Sequence, residues 1–232
     1  MRFPEVPARL RRDLGADLKL IFCLRDPVKR AFSQYHLRCR LLEENKSFAE
    51  AISLEKQRIA ENTYLGRRQS YIGGSLYAEQ IERFLEHFPK RNLRFVILET
   101  DFKQNRAATV EGLFEFLGVG PDPAVRLDVV DSSNVAPRIE FQYAAGVEPR
   151  PDAGAAEQSR PSRIRFDTGK AWADSVVVRP SDSAVTFFRD LADNLTETLS
   201  DDVAAELYRE HFAAEIDRLE TLIDRNLSGW RR

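Results

Sequence analysis

The chain has 232 residues, of which 35 are Lys or Arg and 37 are Asp or Glu, and its formal net charge is −2. That length suffices for one sizeable domain with a single core. The near-neutral balance argues against nucleic-acid and anionic-membrane partners. No apolar run approaches the roughly 20 residues of a membrane-spanning helix, and no signal peptide opens the chain, so we expect a cytoplasmic protein.

The hydrophobic pattern predicts strands that alternate with helices. In chain order we expect a helix at 5–15, a strand at 18–24, helices at 27–43, 47–62 and 75–88, a strand at 93–98, and helices at 106–118, 183–198 and 200–225. Alternation of this kind predicts a parallel sheet covered by helices. The predicted fold class is therefore α/β, rich in helix, and we expect residues 1–232 to form a single domain.

The periodic pattern fails between residues 128 and 182. The stretch VEPRPDAGAAEQSRPSR within it is rich in Pro, Ala, Ser and Arg. A stretch this long without regular elements is usually a functional or a disordered loop. We therefore expect a mobile loop at 128–182.

The most informative segment joins the first predicted strand to the next helix. Leu18–Leu24 is a nearly continuous apolar run, typical of a strand buried on both faces, and Asp26 followed by Pro27 predicts a capped helix start. Arg25 then lies at the carboxyl end of a strand, where open α/β sheets bind ligands, next to a helix N-terminus with unpaired N–H groups. Ser33 leans back toward the same end of the helix. A guanidinium and a hydroxyl placed in this way suit a phosphate monoester.

These residues carry a family resemblance. The pattern Arg25-Asp26-Pro27-x-x-Arg30-Ala31-x-Ser33-x-Tyr35 resembles the 3′-phosphate-binding motif of sulfotransferases that use 3′-phosphoadenosine 5′-phosphosulfate (PAPS), especially the bacterial and heparan-sulfate type. Further segments are similar in the same order: GSLYAEQ at 74–80, FLEHFP at 84–89, LRFVILETDF at 93–102, VEGLFEFLGV at 110–119, and the tail that closes with Trp230.

The resemblance implies a fold, a reaction and two binding residues. It implies a sulfotransferase fold like that of P-loop NTPases, and transfer of a sulfuryl group from PAPS to a hydroxyl or amine of a carbohydrate or small-molecule acceptor. Arg25 and Ser33 would bind the 3′-phosphate, whereas we assign Arg30 a supporting role first and place Tyr35 and Tyr77 in the core or the pocket wall. No pattern in the sequence identifies the acceptor or the oligomeric state.

One expected part of such an enzyme has no counterpart ahead of the first strand. Family members grip the 5′-phosphosulfate with a glycine-rich loop that carries a lysine, but MRFPEVPARLRRDLGAD contains no such loop. We therefore expect Met1 to mark an internal start or a truncated gene model. An alternative function stays open, namely a catalytically incomplete fragment or nucleotide-binding remnant. A P-loop kinase ranks last because G-x-x-x-x-G-K-S/T does not occur.

No catalytic residue is assigned. Sulfuryl transfer needs positive charge on the leaving phosphate and a base for the acceptor's proton, but the histidines match no catalytic position and are expected to be core or solvated residues: His36, His87 and His211. Cys23 and Cys39 lack a metal-ligand spacing, so we expect no metal site and reduced core thiols, with a single bridge between them as the alternative.

A late basic loop closes over the nucleotide in the family. By location, Arg163, Arg165 and Lys170 are candidates for such a loop in this chain. They match no family motif cleanly, so a solvated basic loop is the favoured interpretation.

Overall fold

The computed structural model describes residues 3–61, 63–120, 138–142, 162–167, 175–178, 190–191 and 193–232. The helices are α1 (Val6–Leu14), α2 (Pro27–Arg40), α3 (Phe48–Ser53), α4 (Glu55–Ala60), α5 (Tyr64–Arg68), α6 (Tyr77–Leu85), α7 (Arg106–Leu117), α8 (Asp201–Leu207) and α9 (Ala213–Ile223). The strands are β1 (Leu20–Leu24), β2 (Leu93–Ile97), β3 (Arg138–Gln142), β4 (Ser162–Asp167) and β5 (Ser175–Val178).

Short helical turns complete these elements. Three are 3₁₀ turns: Gly73–Ser75, Lys90–Asn92 and Ser228–Trp230. Two are π turns, Leu98–Phe102 directly after β2 and Tyr208–Phe212 between α8 and α9. The single helix expected at 200–225 is therefore α8 and α9 joined through a π turn.

The chain divides into two compact units. The first comprises Met1–Phe32, Tyr71–Val130 and Leu199–Arg232, and the second comprises Ser33–Ser70 and Asp131–Thr198. Helix α2 begins in the first unit and continues into the second.

The first unit is built on a parallel pair of strands. β1 pairs with β2 in register, with Leu20 opposite Leu93 and Leu24 opposite Ile97. The carboxyl ends of the two strands therefore meet at one edge, which is the edge where open α/β sheets bind ligands. The parallel pair and the many helices confirm the helix-rich α/β class.

Aromatic side chains fill the core of this unit beneath β1. Phe22 meets the ring of Phe84 edge-on at 5.1 Å between centroids and the ring of Phe95 at 5.5 Å. Leu24 and Ile81 are fully buried. The strand and α6 thus share one apolar layer that fixes where β1 ends.

The expectation that β1 is buried on both faces is wrong. Phe22 and Leu24 are buried, but Ile21 is 40% exposed and Cys23 is exposed. Successive side chains of a strand point to opposite faces, and only the face that carries Phe22 is covered by the described core. Cys23 is therefore not a core thiol, whereas Cys39 is buried as expected.

The second unit contains the later part of α2 and the helices α3 to α5. The helix expected at 47–62 is interrupted at Leu54, where α3 gives way to α4. Ser47 and Glu50 form a capping box at the start of α3, and the Ser53 hydroxyl donates to the Glu50 carbonyl at 2.8 Å. The Glu50 carbonyl still accepts the backbone N–H of Leu54 at 3.0 Å.

A buried hydroxyl links α2 to a distant part of the same unit. Tyr35 donates to the Lys46 carbonyl at 3.0 Å and to Glu197 Oε2 at 2.9 Å. The backbone N–H of Phe48 donates to the same carboxylate oxygen at 3.1 Å. Tyr35 is therefore a core residue, as the sequence predicted.

The mobile loop expected at 128–182 lies largely outside the described residues, so its mobility stays a prediction. Within that range β3, β4 and β5 form an antiparallel sheet in that order. The sequence pattern did not indicate these strands. Of the helix expected at 183–198, residues 190–191 and 193–196 are described and helical.

Among the described helices, none combines the length and the apolar character needed to cross a bilayer.

Candidate functional site

The turn between β1 and α2 is fixed by the side chain of Asp26. Its Oδ1 accepts the backbone N–H groups of Val28 at 3.0 Å and Lys29 at 3.2 Å, and its carbonyl accepts the N–H of Arg30 at 2.8 Å. These contacts confirm Asp26 as the N-cap and Pro27 as the first helical residue.

The same contacts overturn one expectation about the helix N-terminus. Because Asp26 takes the N–H groups of Val28 and Lys29, and proline has none, the first turn of α2 does not offer the unpaired amides that the sequence suggested. The helix dipole still favours an anion here. Hydrogen bonds to such an anion must therefore come from side chains.

Arg25 is held by its backbone while its guanidinium stays uncommitted. The Tyr77 hydroxyl donates to the Arg25 carbonyl at 3.0 Å. The Arg25 side chain is half-buried, and its Nε is fully buried without a hydrogen-bond partner in the described part of the chain. The other guanidinium nitrogens of Arg25 make no hydrogen bond to a described residue either, so this side chain is uncommitted within the described part of the chain.

Comparison with other arginines sets Arg25 apart. Arg38, Arg68 and Arg83 also bury an unpartnered Nε, but each forms an ion pair through another nitrogen, and Arg106 lies over the ring of Phe102 at 5.0 Å. Arg25 makes no ion pair or ring contact with any described residue. Its charge is therefore available to an anion.

Arg30 and Tyr77 have the supporting roles that the sequence analysis gave them. Arg30 Nη1 donates to Ser75 Oγ at 3.0 Å, and the buried Ser75 hydroxyl donates to the Tyr71 carbonyl at 3.0 Å. Tyr77 is buried, and burial raises the pKa of its hydroxyl well above the ordinary value. The segment that begins at Gly74 thus bonds to the Arg25 motif at two points.

Ser33 lies in the second turn of α2, where it is exposed, and begins the second unit. Its hydroxyl makes no hydrogen bond to another residue in the ranges that the structure describes. The strand–turn–helix that carries Arg25 and Ser33 is confirmed. Their role in phosphate binding stays a prediction.

The carboxylate of Glu99 lies at this edge of the sheet and was not predicted. Its Oε1 accepts the backbone N–H of Asp26 at 3.4 Å, and its Oε2 accepts the indole N–H of Trp230 at 3.2 Å. Glu99 follows β2 by two residues, so the carboxyl-end rule that drew attention to Arg25 applies to it equally.

Arg232 also reaches this turn. Its Nη2 donates to Asp26 Oδ2, and Lys29 Nζ lies 3.8 Å from the same oxygen. Asp26 is only 1% exposed, so its charge needs such compensation. No local pattern in the sequence indicated this contact.

The histidines show no catalytic geometry. Burial lowers the pKa of His36 below its ordinary value, as does the nearby charge of Arg40. His211 Nε2 lies 3.7 Å from Glu210 Oε2, and neither His211 nor His87 bonds to the described Arg25–Asp26 turn. The chain's catalytic base is therefore still unassigned.

The remaining sequence candidates add nothing to the described site. The described residues contain no group of three or more His, Cys, Asp and Glu side chains that could hold a metal ion. Arg163 and Arg165 lie in β4, whose side chains are not described, and Lys170 lies outside the described residues.

Comparisons with known proteins bear on the fold and the family of the chain. A crystal structure of a sulfotransferase from Alicyclobacillus acidocaldarius is similar in fold, with a TM-score of 0.61 and 24% sequence identity, over 99% of this chain and 64% of that one. The chain thus spans 64% of the length of that sulfotransferase. No curated protein matches it. The sequence profile of the sulfotransferase domain matches residues 10–161, well over half of the chain, which therefore belongs to the sulfotransferase domain family.

Proposed function

We propose that this chain binds PAPS by its 3′-phosphate and takes part in sulfuryl transfer to a hydroxyl or amine of a carbohydrate or small-molecule acceptor. The observation that carries the proposal is the uncommitted guanidinium of Arg25, half-buried at the carboxyl edge of the parallel strands. Family membership supports the same conclusion.

Arg25 and Ser33 are the proposed ligands of the 3′-phosphate. A phosphate monoester carries a charge of about −1.5 to −2 at neutral pH, and a guanidinium can give it two parallel hydrogen bonds. The Ser33 hydroxyl adds a neutral donor, and the positive end of α2 adds to the favourable potential. Asp26 fixes the turn but faces its own backbone and Arg232.

Binding of the 3′-phosphate would act at a distance from the reacting bond. In the transfer step the acceptor's oxygen or nitrogen forms a bond to sulfur, the bond from sulfur to the 5′-phosphate oxygen breaks, and the acceptor loses a proton to a base. Adenosine 3′,5′-bisphosphate leaves. Binding of the 3′-phosphate contributes by holding the donor in one position, which is an entropic contribution to rate.

A second candidate function is nucleotide binding without transfer. Residues 1–232 contain no glycine-rich loop with a lysine that could hold the 5′-phosphosulfate. This observation favours a binding remnant if these residues act alone. Both candidates share the 3′-phosphate site and differ only in turnover.

Isothermal titration with adenosine 3′,5′-bisphosphate and with adenosine 5′-monophosphate tests the shared site. Arg25→Ala should weaken bisphosphate binding by about tenfold to hundredfold, the value of hydrogen bonds to a charged group, and should leave the monophosphate affinity unchanged. Arg94→Ala is the matched control, because Arg94 is an exposed arginine near the opposite end of the same strand pair.

Equal affinity of the wild type for the two nucleotides would refute the 3′-phosphate site. Incubation with sulfur-labelled PAPS and a panel of hydroxyl and amine acceptors then separates the two candidates. Labelled product supports the enzyme, whereas selective binding without product supports the remnant.

A further inference from the structure

We infer that Arg232 is a positioning residue for the nucleotide site, because it neutralises Asp26 and so keeps Arg25 available to the 3′-phosphate. The inference rests on the proposed function. It assigns residues 228–232, referred to below as the C-terminal tail, to the architecture of the proposed nucleotide site.

The first step concerns the charge of Asp26. One carboxylate oxygen caps α2, and the other accepts from Arg232. Lys29 is the other cation near that oxygen, but its amine lies 3.8 Å away on a side chain that is 49% exposed, whereas the Arg232 side chain is 19% exposed. Charge pairs are screened less when they are buried, so Arg232 is the principal counter-charge.

The second step concerns what Asp26 would do without that partner. Arg12 and Asp13 are also adjacent residues of opposite charge, and there the arginine pairs with its neighbour directly, with Nε 2.6 Å from Oδ1. No such ion pair joins Arg25 to Asp26 in the described structure. Arg232 occupies the second oxygen of Asp26, and the Arg25 guanidinium makes no hydrogen bond or ion pair with a described residue.

The third step concerns the anchoring of the C-terminal tail. Trp230 is buried and donates its indole N–H to Glu99, which also accepts the N–H of Asp26. Arg231 pairs instead with Asp217 and Glu220 on α9. The C-terminal tail is therefore anchored by Trp230 independently of Arg232. Of its two arginines, Arg232 contacts the turn between β1 and α2, and Arg231 contacts α9.

Titration of variants with the two nucleotides tests the inference. Arg232→Gln should lower the affinity for adenosine 3′,5′-bisphosphate about tenfold, which is the loss expected when a substitution removes one charged hydrogen bond. It should leave the affinity for adenosine 5′-monophosphate unchanged. Arg232→Lys should restore part of the loss. Arg231→Gln is the matched control and should bind both nucleotides as the wild type does.

A purely structural role of Arg232 would weaken binding of both nucleotides alike, so a parallel loss would overturn the inference. So would bisphosphate affinity of Arg232→Gln within twofold of the wild type. Trp230→Phe keeps the buried ring and removes the N–H to Glu99. It offers a second variant, expected to lower bisphosphate affinity selectively, if Arg232→Gln does not fold.

A measurement without nucleotide separates this inference from the proposed function. Hydrogen exchange at the Val28 and Lys29 amides, which Asp26 caps, should be faster in Arg232→Gln than in the wild type and unchanged in Arg231→Gln. Absence of bisphosphate binding by the wild type would refute the proposed function alone. Unchanged exchange in Arg232→Gln would refute the positioning role alone.

Discussion

Arg25 and Asp26 show how two adjacent residues can have separate tasks. One carboxylate oxygen of Asp26 caps the helix and the other accepts a hydrogen bond from Arg232. The carbonyl of Arg25 accepts a hydrogen bond from the Tyr77 hydroxyl. The guanidinium is left with a buried donor and no described partner. The hydrogen bond to its carbonyl fixes the backbone of Arg25, which under the proposed function lowers the entropic cost of binding.

The two cysteines lead to a prediction at the same scale. Cys23 is exposed on β1, whereas Cys39 is buried, and burial raises the pKa of the Cys39 thiol to about 12. Since the thiolate is the reactive form, we expect one thiol to react rapidly with Ellman's reagent at pH 8 and the second only in denaturant. Cys23→Ser should abolish the rapid reaction, and two rapidly reacting thiols in the wild type would contradict the prediction.

Single residues were predictable from sequence only where the signal is local. Asp26 and Pro27 mark a helix start by their types and order, and Arg25 is found by its place after an apolar run. Arg232 lies 206 residues from Asp26, and nothing in its neighbours indicates the contact. Long-range pairs of this kind depend on the whole fold.

At the scale of elements, the partly buried carboxyl of Glu215 links α9 to α6. Glu215 on α9 accepts the backbone N–H of Ala78 in the first turn of α6 at 2.5 Å. Burial raises the pKa of the Glu215 carboxyl above its ordinary value, against the opposing effect of that hydrogen bond. The folded state therefore binds a proton at this site more readily than the unfolded state does.

This shift predicts how stability depends on pH. The stabilisation by protonated Glu215 is fully present below the pKa of unfolded glutamate, about 4.3, and is lost as the pH rises through the raised pKa of the folded state. Relative to Glu215→Gln, the wild type should therefore lose free energy of unfolding as the pH rises above about 4.3, as measured by urea denaturation.

Glu86→Gln is the control for this experiment, because Glu86 is an exposed residue at the end of α6 and is not among the charges that shift the pKa of Glu215. The difference in free energy of unfolding between the wild type and this control should not fall as the pH rises across the same range. A difference between wild type and Glu215→Gln that stays constant with pH would contradict the burial effect.

Element type was more predictable than element continuity or burial. The apolar run at 18–24 identified β1, but periodicity does not say how many layers cover a strand, and the face of Ile21 and Cys23 is exposed. The expected helix at 47–62 is interrupted at Leu54. Such an interruption is decided by local backbone geometry that helical periodicity does not reveal.

For the whole molecule, the path of α2 bears on cooperativity. This helix starts in one compact unit and continues in the other. We expect residues 1–232 to unfold in a single calorimetric transition, because disruption of a shared helix removes packing from both units. Adenosine 3′,5′-bisphosphate at 100 times its dissociation constant should stabilise the folded state by about 2.7 kcal/mol and raise that transition.

Two resolved transitions would contradict the single domain. Titration with the bisphosphate would then show which transition shifts to higher temperature. Arg25→Ala is expected to abolish this shift and to leave α2 intact. A single transition that the nucleotide does not move would contradict the proposed site instead.

The contact between Asp26 and Arg232 also has a consequence during synthesis of the protein. A ribosome that adds about 5–20 residues per second makes Asp26 on the order of 10–40 s before its partner 206 residues later. Throughout that interval Lys29 is the described cation beside the second oxygen of Asp26. The turn between β1 and α2 therefore gains its principal counter-charge only after residue 232 has been added and has left the ribosome.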